Sequence, residues 1–160
     1  MMAVGSENFE AIIRLGMATI LGALIGLERE RHGKEAGFRT YTLVCIGSAL
    51  MMLVSIEIFE VYRNEAQVDP SRIAAQVVSG IGFLGAGAII RYSAGVKGIT
   101  TAAGIWVASG IGLACGLGQF FPAILTTLLV LTVLMIFSKV DRWFEKKQGG
   151  TLRKDPGVAD

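Results

Sequence analysis

Two short polar stretches hold most of the side chains able to do chemistry. The first runs from Glu28 to Arg39 and carries Glu28, Arg29, Glu30, Arg31, His32, Lys34, Glu35 and Arg39. The second runs from Arg91 to Thr101 and carries Arg91, Lys97, Gly98, Thr100 and Thr101. Carboxylates suit a hard cation such as Mg²⁺, which keeps most of its waters and takes one or two acidic ligands. Glu28 and Glu30 are the candidates for that role, although the neighbouring arginines would neutralise them more cheaply. Thr100 and Thr101 follow a glycine at a helix start, where hydroxyls cap free N–H groups; the same N–H groups can receive an anion or a partner's carboxylate. The two stretches read either as a charge-balanced collar holding helix ends in register or as a site for a small ion or a partner protein. His32, the single histidine, reads as a solvated loop residue. No Ser–His–Asp set, phosphate-binding loop or HExxH motif is present, and Gly82-x-x-Gly85 makes no dinucleotide fingerprint, so the expectation is a protein without enzymatic chemistry or bound cofactor.

The elements that position these residues depend on the solvent. The 160-residue chain is 52% hydrophobic and 18% charged, against about 25% charged in a soluble domain, and its mean hydropathy is +0.58. Uncharged runs approach the ~20 residues that a membrane helix needs. The expected fold is therefore an all-α polytopic membrane protein with five spans, at about 9–27, 40–59, 73–90, 100–118 and 121–138. A short interfacial helix over 139–148 and a disordered tail over 149–160 follow. The acidic start, MMAVGSENFE, lacks the basic region of a cleavable signal peptide, so the first span serves as the insertion signal. A net charge of +2 spread over short loops gives no nucleic-acid face.

Orientation follows from the basic residues of each loop. Arg29, Arg31, Lys34, Arg39, Arg91, Lys97, Lys139, Arg142, Lys146, Lys147, Arg153 and Lys154 share one side, and Arg63 and Arg72 the other. This puts the N-terminus outside and the C-terminus in the cytoplasm. Cys45 then lies near the inner surface and Cys115 near the outer, unpaired. Tyr41, Tyr62, Tyr92 and Trp143 fall at span ends as interfacial aromatics, whereas Trp106 sits inside the fourth span and should pack against a neighbour. Arg14 interrupts the first span. It either snorkels or pairs with Glu10 one turn earlier, or it forms an intramembrane ion pair with Glu57.

Small residues mark the packing faces, because in lipid they let helix backbones touch. Ala18, Gly22 and Gly26 form one strip, Gly104, Ala108, Gly112 and Gly116 another, and Gly82 and Gly85 belong to the glycine-rich third span. One strip can serve the bundle while another stays free, and five thin helices make a slight bundle, so a homodimer or higher oligomer is expected.

The segments LGALIGLERE (21–30), GFRT (37–40), RIAAQVVSGIGFLGAGAIIR (72–91), VKGITTAAGIWVASGIG (96–112) and CGLGQF (115–120) resemble the MgtC/SapB family of bacterial membrane proteins in order and spacing. The resemblance implies a five-span inner-membrane protein linked to growth at low magnesium. It also implies action by restraining the ATP synthase rather than by carrying Mg²⁺. The name-giving members look to carry an asparagine, tied to the ATP synthase effect, where this chain has Thr100. They also append a cytoplasmic C-terminal domain, which makes the short, SapB-like branch the better comparison. Two functions are weighed. One is a non-enzymatic regulator acting through helix contact with a membrane partner such as the ATP synthase. The other is a transporter or channel for Mg²⁺ or another small ion, formed by an oligomer.

Overall fold

The computed structural model describes residues 3–65, 67–93 and 95–148, with side chains between 7 and 136. Its elements are α1 (Ala3–Arg31), α2 (Phe38–Tyr62), α3 (Ser71–Gly87), β1 (Ile90–Tyr92), β2 (Gly95–Lys97), α4 (Ile99–Gly116) and α5 (Phe120–Gln148). The tail over 149–160 lies outside the described residues. Three helices, Glu7–Arg31 within α1, Phe38–Tyr62 and Ile99–Gly116, are long and apolar enough to cross a membrane, and Phe120–Ile136 is a shorter apolar stretch. Their outward faces are those of lipid-solvated helices: Phe121 is 78% exposed, Leu43 68% and Ile12 67%, an apolar surface that water would not tolerate.

α4 touches all four other helices, and α2 packs mainly on α1 and α4. The small-residue strips explain how. A Cβ placed on Gly22 would lie 2.8 Å from the Tyr41 carbonyl oxygen, and one on Gly26 would lie 2.7 Å from Phe38 Cα. On α4, a Cβ at Gly104 would strike the Tyr41 hydroxyl, one at Gly112 the Cys45 carbonyl, and one at Gly116 would sit 2.5 Å from the Ala49 carbonyl. Both strips therefore close on α2, with Ala18 and Ala108 fully buried among them. Neither is left for a partner. A Cβ on Gly85 would lie 3.7 Å from Ala102 of α4, whereas one on Gly82 would have nothing within 4 Å.

Several details depart from expectation. The helix expected over 73–90 is α3, which ends at Gly87, because Ile90 is taken into an exposed antiparallel hairpin that pairs Ile90 with Lys97 and Tyr92 with Gly95. The fold is thus helical with one two-stranded ribbon. α5 continues without a break to Gln148, so the segment 139–148 extends the fifth helix rather than starting a separate one. Tyr41 is fully buried rather than interfacial, because Gly104 opposes its ring. Trp106 is 55% exposed, lining a groove with Val78 of α3 and Pro122 of α5. Cys45 and Cys115 are both free and buried. Cys45 Sγ donates to the Ala108 carbonyl at 3.0 Å across the α2–α4 interface, and Cys115 lies two turns further along α4 than Ala108.

Arg14 takes the nearer of its two proposed partners. Its guanidinium pairs with Glu10 and donates to the Gly116 carbonyl at 2.7 Å, placing a cation at the C-terminus of α4, where the helix dipole favours it. Glu57 is exposed and is not its partner. At the same end of the bundle Ser55 Oγ donates to the Pro70 carbonyl at 2.5 Å, and Asp69 accepts from Ser71 N–H at 2.8 Å, so α3 starts pinned to α2.

Candidate functional site at the α1–α4 end

The opposite end of the bundle gathers the last turn of α1, the α1–α2 loop, β2 and the first turn of α4. Glu28 and Arg29 face inward and are buried. Arg29 Nη1 lies 3.4 Å from Glu28 Oε2, and His32 Nδ1 lies 3.1 Å from Glu28 Oε1 while donating to the Glu28 carbonyl at 2.9 Å. His32 is therefore tied to α1, not simply solvated. Neither Glu28 carboxylate oxygen, nor Arg29 Nε, has a hydrogen-bond partner among the described residues. A buried ion pair held this loosely recovers little of its desolvation cost.

Glu30 turns away from Glu28. Its Oε2 accepts the Phe38 N–H at 2.8 Å, so a carboxylate from the end of α1 occupies the N-terminus of α2, where the dipole favours negative charge. A Cβ on Gly37 would lie 2.8 Å from that oxygen. The two carboxylates considered for Mg²⁺ are thus separated by their tasks. Among the described residues no three His, Cys, Asp or Glu side chains converge on a common point.

Thr101 Oγ1 donates to Glu35 Oε2 at 2.8 Å instead of capping α4. Glu35's own backbone N–H and this hydroxyl hold its carboxyl below the ordinary glutamate value of 4.5. The cap position belongs to Gly98 at φ 88°, with no side-chain cap. This is left-handed backbone that favours glycine, and a Cβ there would strike the Ala88 carbonyl.

Arg29, Lys34, Glu35, Lys97, Thr100 and Thr101 line one cavity of about 690 Å³, closed on one side by Val133 and Leu134 of α5. Arg39 and Arg91 are exposed and lie outside its lining. Lys97 Nζ stands 5.5 Å from the centroid of the Tyr92 ring. The approach of the first polar stretch to the second was legible in the loop pairing. The part of Lys34 and the burial of Arg29 were not, because nothing in the local sequence distinguishes an inward from an outward basic residue at a helix end.

The tightly closed helices and the half-buried charged site at one end define a small multi-pass membrane protein with a polar site at its surface. The chain belongs to the MgtC family, whose pattern matches residues 15–143, and is an inner-membrane protein. It is 45% identical over 133 residues to YhiD of Escherichia coli strain K12, provisionally named a magnesium transporter, covering 82% of this chain and 62% of YhiD. It is 41% identical over 135 residues to an uncharacterized protein of Haemophilus influenzae, covering 82% of this chain and 57% of that protein. It is 47% identical over 123 residues to MgtC of Salmonella typhimurium strain LT2, covering 77% of this chain and 50% of MgtC. The chain thus spans between half and about three fifths of these relatives' length. No solved structure matches it.

Proposed function

We propose that this protein serves magnesium homeostasis as a non-enzymatic regulator, acting through contact of α3 with a helix of a membrane partner. The observation that carries the reading is a third small-residue strip. Ala75, Ser79, Gly82 and Ala86 recur at helical spacing along α3, and all four are exposed, while the strips of α1 and α4 are closed on α2. An outward line of small residues lets a second helix approach closely. The partner is a second copy, another membrane protein such as the ATP synthase, or both in turn. The five-span topology with the charged site facing the cytoplasm belongs to the same reading.

Transport of Mg²⁺ is the second reading, favoured by the name of YhiD. The core speaks against a path through one protomer: its buried side chains are mostly apolar, and the hydroxyls of Ser55, Ser109 and Thr127 are each held on a backbone carbonyl, which offers a hydrated divalent cation no charged lining. The test is Mg²⁺ uptake by liposomes containing only the purified protein, beside copper-catalysed cross-linking of Ser79→Cys in native membranes. Cross-linked adducts at position 79 but not at Leu43→Cys, with no uptake, are expected. Uptake above protein-free liposomes would overturn the regulator reading.

A further inference from the structure

We propose that the cavity between α1, β2 and the start of α4 is a binding site for a phosphate ester. Among the described residues three cations from three elements line it: Arg29 from α1, Lys34 from the α1–α2 loop and Lys97 from β2. Among the described residues the one carboxylate in the lining is Glu35, and it is engaged by the Thr101 hydroxyl. Glu28 lies behind Arg29 and offsets part of its charge, so the wall keeps a positive balance.

Two independent features point to an anion. The helical ladder of α4 begins with Ala102 N–H donating to the Gly98 carbonyl. The N–H groups of Ile99, Thr100 and Thr101 precede it and have no acceptor within that ladder; the three residues line the cavity, and such a helix end attracts negative oxygen. Separately, Arg29 is only 3% exposed and its Nε has no hydrogen-bond partner among the described residues. A buried guanidinium with an idle donor is costly unless something completes its pairing. A tetrahedral oxyanion does so, because a guanidinium fork matches phosphate geometry.

The size and wall composition narrow the class. At about 690 Å³ the cavity is of the size that holds an organic ligand, more than a bare oxyanion fills. Val133 and Leu134 give it an apolar side facing α5. The ligand is therefore a phosphoryl group carrying an organic body. An anionic phospholipid headgroup and a soluble phosphate ester share that chemistry, and the position at the basic end of membrane helices is where headgroups meet such pockets.

The experiment uses the full chain in a neutral detergent and reads binding by the rise in thermal unfolding temperature and by native mass spectrometry. The probes are short-chain phosphatidylglycerol and, separately, glycerol 3-phosphate, with short-chain phosphatidylcholine as the zwitterionic comparison. The variant Lys34→Gln/Lys97→Gln alters only exposed side chains and should fold; Arg63→Gln removes an exposed cation at the other end. Wild type and Arg63→Gln should bind an anionic probe equally, and the double variant should bind it more weakly by about fivefold for each lysine removed. Binding of phosphatidylglycerol alone assigns the site to lipid, and binding of glycerol 3-phosphate assigns it to a soluble ester. Absence of binding by both anionic probes, equal binding of phosphatidylcholine, or undiminished binding by the double variant would overturn the proposal.

Discussion

The Tyr41 hydroxyl donates to the Thr101 carbonyl at 3.2 Å across the α2–α4 interface, and the same hydroxyl occupies the space a Cβ on Gly104 would need. Thr101 in turn donates its own hydroxyl to Glu35. A fully buried aromatic, a missing side chain and a loop carboxylate are thus linked through one residue of α4.

Gly104→Ala is expected to destabilise the protein by about 1–3 kcal/mol, the usual cost of overpacking. Tyr41→Phe removes the obstructing oxygen together with its hydrogen bond, worth about 1 kcal/mol. The two changes should therefore couple: Gly104→Ala costs less in the Tyr41→Phe background. Thermal unfolding of the four proteins in detergent checks this, and strict additivity would remove Tyr41 from the account.

At Gly112 the obstacle is the Cys45 backbone carbonyl rather than the tip of a side chain, so no single partner change can relieve it. Gly112→Ala should lower stability more than Gly104→Ala. Gly110→Ala, with nothing within 4 Å, should instead raise it by about 0.5–1 kcal/mol through helix propensity. The sign difference between positions two residues apart is the readout.

Because Glu35 is held below 4.5 by its own N–H and by Thr101, its interaction contributes stability above that value and loses it as pH falls through the lower folded pKa. Thr101→Val should move the Glu35 titration upward and flatten stability across that acidic window. Carboxyl-resolved NMR titration in detergent measures the first effect directly. An unshifted Glu35 would show that Thr101 is not its effective partner.

Arg14→Gln should cost about 1.5–3 kcal/mol, the range for a hydrogen bond from a charged group, because it weakens the link to the Gly116 carbonyl at the end of α4. Glu10→Gln should cost under about 1 kcal/mol, as expected for a pair whose carboxylate is 59% exposed. Equal losses in unfolding experiments would place the weight of Arg14 on the ion pair instead.

Class and membership were legible in the chain. Hydropathy and the spacing of charge are local properties of a segment in lipid, and they marked the apolar helices without reference to any contact. The glycine and alanine strips were visible for the same reason: a four-residue recurrence places them on one side of a helix whatever lies opposite. What lies opposite is a property of the whole bundle. Only the tertiary structure set both strips against α2, buried Tyr41 beneath Gly104, and left Ala75, Ser79, Gly82 and Ala86 facing outward. It also divided neighbours of identical chemistry. Glu28 is turned inward to Arg29, and Glu30 is turned to the start of α2. Residues two apart on a helix point to different sides, and the sign of a charge does not say which side is covered.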